Sequence, residues 1–433
     1  MRAGGVAGPH SLCHTMTSRE RVRAVLRRER PDRLPNGLGA TLNTGLHVLA
    51  YRKLRALLGL PERPPHIMSF EVNALFDSDV LEALDVDMVS LGVKLNPARF
   101  RVPGAEEDWK PVELWGAPFL LPRAWELVHD PDGTVWIDGL AWDTIDFNVL
   151  LDRPGCRLKC PAGGFYFDPT PLPGSMPVEN PPPEDYRPPH DYPDEWLRQL
   201  EESARWLHEN TDYAIVCDEM INDFQLSPGG LPAWWMRMVS EPDIVHEFLS
   251  RACDAAVSQL KLVDQAVGRY AEMLVIAQDF GDLRGVTMGP DLWREIYKPH
   301  FRRLFGEWHR ITPMKICMHS CGSIAAILRD LEECGLEVIN PVQVSAAGMD
   351  PVSLKERFGS KLVFYGGSFD AVALPPETPE EVVFESVRSN IRALSRGGGY
   401  IFSGVHNIQC NVPDSHLRAI MDAFRSCRDE AGS

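Results

Sequence analysis

The stretch "KICMHSCGSIAAILRDLEECGLEVINPVQ", residues 315–343, decides the fold. It opens with "KICMHSC" (315–321), where Ile316 and Met318 stand among small or apolar neighbours, as in a buried strand. A Gly turn, the amphipathic segment "GSIAAILRDLEECG" and a second apolar run, "EVINPVQ" (337–343), follow. Strand, helix and strand in that order make the unit of a parallel sheet with a crossover helix.

The same alternation extends in both directions. Upstream lie "MLVIAQDF" (273–280), "YAIVCDE" (213–219), "DMVSLG" (87–92) and "LPNGLG" (34–39); downstream lie "KLVFYGG" (361–367) and "GYIFSG" (399–404). Helical patterns separate them, such as "TPEEVVFESVRSNIRALSRGGG", started by Thr378-Pro379 and stopped by Gly397 to Gly399. Eight parallel strands close most economically into a barrel, so the expected fold is α/β, a TIM (β/α)8 barrel. A first helix precedes them: Thr17 or Ser18 can cap it, Glu20 stands near the capping-box position, Val22, Val25 and Leu26 form its stripe, and Pro31 stops it.

Between the second and third strands the pattern breaks, and an insertion over about 100–205 is expected to cover one barrel end near the active site. Residues 105–150 carry Trp109, Trp115, Trp136 and Trp142, with "HDPDGTVW" reading as a β-hairpin around Asp132-Gly133. Residues 169–194 are too Pro-rich for helix or central strand. Residues 16–433 are read as a single barrel domain, and 1–15 as a disordered tail or a mis-called start ahead of Met16.

With 44% hydrophobic and 24% charged residues, the 433-residue chain suits a globular enzyme. Its net charge of -17 argues against nucleic acid or an anionic membrane surface as partner. The absence of a membrane-length apolar stretch and of a secretory h-region gives an expected cytoplasmic location, where the ten cysteines would be mostly reduced.

Barrels place their working residues at the carboxyl ends of strands, and His319 and Cys321 stand at one. Cys410, in "HNIQCNVP", follows the last strand, and all these loops open onto one rim. A His/Cys/Cys set with one open position suits catalytic zinc, and thiolates favour zinc over magnesium or calcium. The plain alternative is that a cysteine near a strand end fills the core, as Cys317 on the strand proper is expected to do. Spacing leaves both open.

The quoted stretch, together with "MDPVSLKERFGSKLVFYGGSFD", "LSRGGGYIFSGVHNIQCNVP" and "QDFGDLRGVTMGPDLWREIYKPHFRRL", resembles the uroporphyrinogen decarboxylase superfamily. More specifically it is similar to the zinc-dependent, corrinoid-linked methyltransferase branch, which includes methylcobamide:coenzyme M methyltransferases and O-demethylation enzymes. The likeness runs from Met16, is strongest over 272–413 and is weak through the insertion. It implies a His-x-Cys…Cys zinc motif, mapping onto His319, Cys321 and Cys410. It also implies a TIM barrel, methyl transfer between a small methylated substrate or thiol and a corrinoid, and a separate corrinoid protein as partner.

The decarboxylase of that superfamily relies on an Arg-rich N-terminal loop, whereas "PNGLGATLNTGLH" (35–47) here holds no Arg to clamp a polycarboxylate. A decarboxylase and a non-catalytic zinc- or corrinoid-docking protein are the competing readings. The partners' Asp-x-His-x-x-Gly corrinoid motif is approached only by "DSHLRAI" (414–420), where Ala419 replaces the Gly and Asp414 reads as a helix start. Asp279 and Glu219, ending strands, are expected on the rim as orienting, proton-accepting or fourth-ligand groups, or as plain loop caps.

His406 and Gln409 would hydrogen-bond substrate or hold the loop, and Asn36, Asn43 and His47 would line the pocket. Trp234-Trp235 read as packing or a lid, and Cys156 and Cys160 as ordinary surface or insertion cysteines. The methyl donor, the direction of transfer and the oligomeric state stay open, a homo-oligomer included.

Overall fold

Period-2 alternation explains the sheet. The computed structural model describes residues 15–68, 71–93, 96–97, 109–123, 125–138, 157–170, 187–188, 190–221, 224, 227–228 and 230–432. Within it seven parallel strands stand side by side in chain order. They are β1 (Met88–Val93), β2 (Ala214–Asp218), β3 (Met273–Ala277), β4 (Lys315–His319), β5 (Val338–Asn340), β6 (Val363–Tyr365) and β7 (Tyr400–Ile401). On β2, Ala214 and Val216 face the barrel interior with Met88, Met273, Val275, Cys317, Val338, Val363, Tyr365 and Ile401. The intervening residues, Ile215, Cys217, Leu274, Ile316, Met318, Ile339 and Phe364, pack outward against the helices. Both faces are covered, hence the near-continuous apolar runs. Cys317 is core filler.

The interior is plugged from the amino end by the first helix, Ser18–Leu26, whose Val22, Val25 and Leu26 join the interior cluster. Its capping box is formed: Glu20 N–H donates to Thr17 Oγ1 at 3.2 Å, and Thr17 N–H to the Glu20 carboxylate at 2.9 Å. The helix ends at Leu26, before Pro31 can act. Beneath the sheet, fully buried Asp87 accepts from Arg21 (2.6 Å), Arg33 (2.8 and 2.9 Å) and Asn36 N–H (2.9 Å). Such a charge is tolerated inside because every lone pair is met.

The expected strand 34–39 is reduced to one rung. Asn36 bridges Val86 on one side and Phe402 on the other, both in parallel, and so closes the barrel. Its side chain serves this seam, donating to Leu84 O (2.8 Å) and accepting from Leu38 N–H (2.9 Å). Asn36 therefore lines no pocket. Gly37 is required beside it, since a β-carbon there would lie 2.6 Å from the Tyr365 ring.

Of the other strands, 87–92 is displaced by one residue to Met88–Val93, and the rest match their expected positions with ends trimmed by up to three residues, because strand-end polar residues turn into loops. "GSIAAILRDLEECG" is helical only over Leu328–Cys334. Asp194–Asn210 is the crossover helix from β1 to β2, so the inserted material yields to the barrel before residue 205. That material holds two small sheets. One joins Trp109–Leu114 and Ala117–Pro122, hinged on Trp115-Gly116 with φ of 49° and 70°, to His66–Ile67 and Ala74–Leu75. The other contains the expected hairpin, Glu126–His129 with Val135–Asp138, extended by Arg157–Cys160 and Asp168–Thr170.

Cys160 is buried rather than at the surface, because its strand faces the core. Trp234 is buried packing, its Nε1 donating to Tyr297 OH at 3.2 Å. Residues 1–14, Cys156, Trp142 and the Pro-rich segment 171–186 lie outside the described residues. Among the described residues no helix is long and apolar enough to cross a membrane.

Candidate metal centre

At the carboxyl end of β4 the inward parity that buries Cys317 brings His319 into the mouth. Ring nitrogens of His319 and His406 and the sulfur of Cys321 lie within 4.8 Å of one another. The sulfur stands 3.3 Å from His319 Nε2. Two donors of one tetrahedral zinc, at about 2.0 and 2.3 Å, stand roughly 3.5 Å apart, so this edge is nearly ready-made.

The tautomer of His319 is fixed from behind. Asn340, its register partner on β5, donates through Nδ2 to Tyr365 O at 3.0 Å, which turns Oδ1 toward His319 Nδ1 at 2.6 Å. Nδ1 must therefore carry the proton, leaving the Nε2 lone pair toward Cys321. Burial holds His319 below the usual imidazole range, so its 3.9 Å approach to Asp279 joins a neutral ring to a carboxylate and is no ion pair. His406, edge-on to His319, is lowered to about 4 by burial and by His319 beside it. Burial first, then Asp279 and Glu71, push the Cys321 thiol well above its ordinary value. Two neutral imidazoles and a thiol among carboxylates fit a soft divalent cation, which would draw off the thiol proton.

Cys410 stands elsewhere. It is outside the 4.8 Å group, with its sulfur 3.6 Å from Tyr166 OH, its N–H donating to that hydroxyl (3.2 Å) and its carbonyl accepting from Lys53 Nζ (3.1 Å). His406 takes the third place in this geometry, four residues earlier on the same loop. Gln409 holds the loop as well, accepting from Tyr166 OH and donating to Asn407 O at 3.1 Å. His47 is buried with both ring nitrogens engaged: Nδ1 accepts from Leu49 N–H (3.1 Å) and caps Val48–Leu57, while Nε2 meets Phe165 O (2.7 Å). It pins the inserted segment to the barrel rather than binding a ligand.

Asp279 accepts from Cys321 N–H at 2.8 Å and keeps its side chain 62% exposed, so it orients the Cys321 turn from the solvent side. Glu219 lies at the rim with Asn43 Nδ2 3.5 Å from its carboxylate, on a backbone of φ 48° that non-glycine residues rarely adopt.

Several site residues escaped sequence reasoning. Asp218, not Glu219, has the inward parity of Ala214 and Val216; it is fully buried and accepts from Leu42 N–H at 2.5 Å. Glu71 accepts from Asn73 (3.0 Å) and Asn407 (2.9 Å). Burial pushes both acids up to about 7, with the Glu71 charge adding to the rise at Asp218 and the Asp279 charge to the rise at Glu71. Strict counting of alternate residues would have found Asp218 and Asn340; Glu71 and Tyr166 carry no periodic signal.

Residues 229–427 match the family model described as uroporphyrinogen decarboxylase (URO-D). Two curated relatives bear that name. One, from Anaeromyxobacter sp. (strain Fw109-5), is 26% identical over 189 residues, which is 44% of this chain and 50% of the relative. The other, from Anaeromyxobacter dehalogenans (strain 2CP-C), is 24% identical over 194 residues, with the same 44% and 50%. The chain thus spans about half the length of the curated relatives it matches. Among solved structures, a methyltransferase from Methanosarcina mazei superposes with a TM-score of 0.54, covering 95% of this chain and 99% of its own at 14% identity, a likeness of fold.

Proposed function

We propose that this member of the uroporphyrinogen decarboxylase superfamily is a zinc-dependent methyltransferase. It moves a methyl group between a small methylated substrate or thiol and a corrinoid carried by a separate protein. One observation carries the reading: His319, Cys321 and His406 converge on the barrel rim with the His319 tautomer set for a metal. The chemistry a zinc ion supplies there is Lewis acidity, which favours the thiolate of an acceptor or polarises the heteroatom of a methyl donor.

The chain's own residues do the rest. Neutral His319 and His406 offer lone pairs, and Cys321 offers sulfur once its proton leaves. Asp279, beside the Cys321 turn and facing solvent, is placed to receive that proton. Tyr166 and the Phe165 carbonyl tie the inserted segment to the Cys410 loop and to His47.

Two features favour methyl transfer over decarboxylation. The segment 35–47 has no Arg, and the acids at the rim, Glu219 and Asp279, offer a polycarboxylate no cationic partner. A corrinoid carried by a partner is the reading that the burial of His416 supports: this residue of "DSHLRAI" lies in the last helix, Asp414–Arg428, with Nε2 bonded to Thr378 O at 2.8 Å.

The deciding experiment measures zinc content and methyl exchange in wild type and Cys321→Ser, using a panel of methyl donors and thiols with a reduced or methylated corrinoid. About one zinc per chain, methyl exchange, and loss of both in the variant are expected. Porphyrinogen turnover without zinc would replace this reading by decarboxylation. Zinc without exchange in either direction would make the chain a non-catalytic docking protein.

A further inference from the structure

Each residue of the bend that carries Cys321 gives its N–H to a different partner. Ser320 N–H donates to Asn340 O at 2.7 Å, and Cys321 N–H to Asp279 Oδ1 at 2.8 Å. Gly322 N–H donates to Gln343 Oε1 at 2.7 Å, and Ser323 N–H to Asp282 O at 2.7 Å. The partners alternate between the ends of β5 and β3, so the bend is gripped from both sides. Gly322 has a φ of 81° and stands back to back with Gly281. A β-carbon on Gly322 would lie 2.4 Å from Gly281 C, and one on Gly281 would lie 2.7 Å from Ser323 N. Backbone meets backbone there, so the bend has no room to shift toward the β3 loop.

On the β5 side the grip is a single side chain. Gln343 is partly buried, and its Oε1 must face Gly322, because Nε2 in that place would set donor against donor. The loop behind it is fastened in turn. Ser345 N–H donates to Asp370 Oδ2 at 3.1 Å, Ala347 N–H to Leu283 O at 2.9 Å, and Ser323 Oγ to Ala347 O at 2.5 Å.

Two peptide planes flank the Cys321 α-carbon, and between them they fix its φ and ψ. Asp279 holds the plane before it and Gln343 the plane after it. With both planes held, the direction of the Cys321 β-carbon is set, and its sulfur comes to rest 3.3 Å from His319 Nε2. His319 itself is held by Asn340, three residues before Gln343. One short stretch, "NPVQ" (340–343), therefore holds two of the three grouped donors, one through each terminal residue.

We propose that Gln343 is a positioning residue of the metal centre, which aims the Cys321 sulfur at His319 by fixing the Cys321–Gly322 peptide. The inference rests on the zinc reading for what the sulfur binds, while the placement of the sulfur beside His319 stands without an ion.

The test uses Gln343→Leu, which keeps bulk and removes the acceptor, and Gln343→Glu, which keeps the acceptor. In metal-free protein, nitrogen NMR of the histidine rings reads the contact between His319 Nε2 and the Cys321 thiol, with Cys321→Ala marking its complete loss. In protein loaded with cobalt(II) in place of zinc, the thiolate-to-cobalt absorption band reads the sulfur–metal bond, and competition with a chelator reads affinity. Gln343→Leu is expected to move the His319 Nε2 resonance toward its Cys321→Ala position, to weaken the band, and to lower cobalt affinity about 10- to 100-fold. Gln343→Glu is expected to keep the resonance and the band. A folded Gln343→Leu with the wild-type resonance overturns the proposal, and so does a Gln343→Glu that behaves like Gln343→Leu. Should Gln343→Leu fail to fold, Gln343→Ala is judged by the same criteria. A wild type that takes up neither cobalt nor zinc, with the resonance still displaced by Gln343→Leu, would refute the zinc reading and uphold the positioning.

Discussion

Replacing Asn340 by leucine, which has nearly its shape, removes the clamp behind His319. Two buried hydrogen bonds go: the 2.6 Å contact to His319 Nδ1 and the 3.0 Å bond to Tyr365 O. Each group left behind, an N–H and a carbonyl, costs about 1–3 kcal/mol, so the unfolding free energy should fall by about 2–5 kcal/mol. Released from its acceptor, His319 can place its proton on either nitrogen and tilt, and loss of such a partner typically lowers metal affinity about 10- to 100-fold. Asn340→Asp separates the two effects, because a carboxylate still accepts from Nδ1–H and cannot donate to Tyr365 O. Urea denaturation and competition with a chromophoric zinc chelator, run on wild type and both variants, read stability and affinity independently. The aspartate variant is expected to lose stability while holding zinc; the leucine variant loses both. A folded Asn340→Leu that binds zinc as tightly as wild type would refute the tautomer argument.

His406→Ala should reduce bound zinc more than Cys410→Ser, as the 4.8 Å group includes His406 and omits Cys410; metal analysis after dialysis ranks the two. Glu219→Gly, which relieves the φ of 48°, should raise stability by about 1 kcal/mol in denaturant titrations while slowing methyl exchange. His300 lies outside the group of three donors, on the helix Lys298–Ile311 with its Nε2 3.0 Å from His246 Nδ1, and burial lowers it to about 4. Its neutral form is favoured by the fold, so the stability it contributes is complete above about 6.5 and lost as pH falls toward 4. His300→Gln should therefore flatten the acid limb of the stability profile by up to about 3 kcal/mol, measured by denaturation at pH 4 to 7.

The barrel was legible because both faces of its strands are buried, so each strand announces itself as an apolar run. "MLVIAQDF" and "KICMHSC" were found for that reason, and their ends were overrun because Asp279 and Cys321 continue the run without continuing the ladder. The centre was legible as far as strand ends reveal chemistry, which gave His319 and Cys321. The third donor was expected at Cys410, where thiol character suggested it. The geometry prefers His406, because the Cys410 sulfur turns to Tyr166, a residue of the inserted segment whose position no local pattern encodes. Glu219 stood for Asp218 through one residue of parity. Asn36 and His47 looked like pocket polar groups, yet their polar atoms complete a barrel seam and a helix cap, demands visible only once backbone partners are known.

The closure through Asn36 makes the cylinder a split ring rather than a continuous hoop. One residue stitches the edges together where the other staves share several rungs. Amide exchange should accordingly be quickest along this line, since opening it breaks few backbone bonds. A clasp of Arg21, Asp87 and Arg33 sits at the foot of the line, and the turn bearing Leu42 continues from its head. The Leu42 residue is fastened to Asp218 and Asn73, so a variant that loosens the seam is expected to quicken exchange at Leu42 as well.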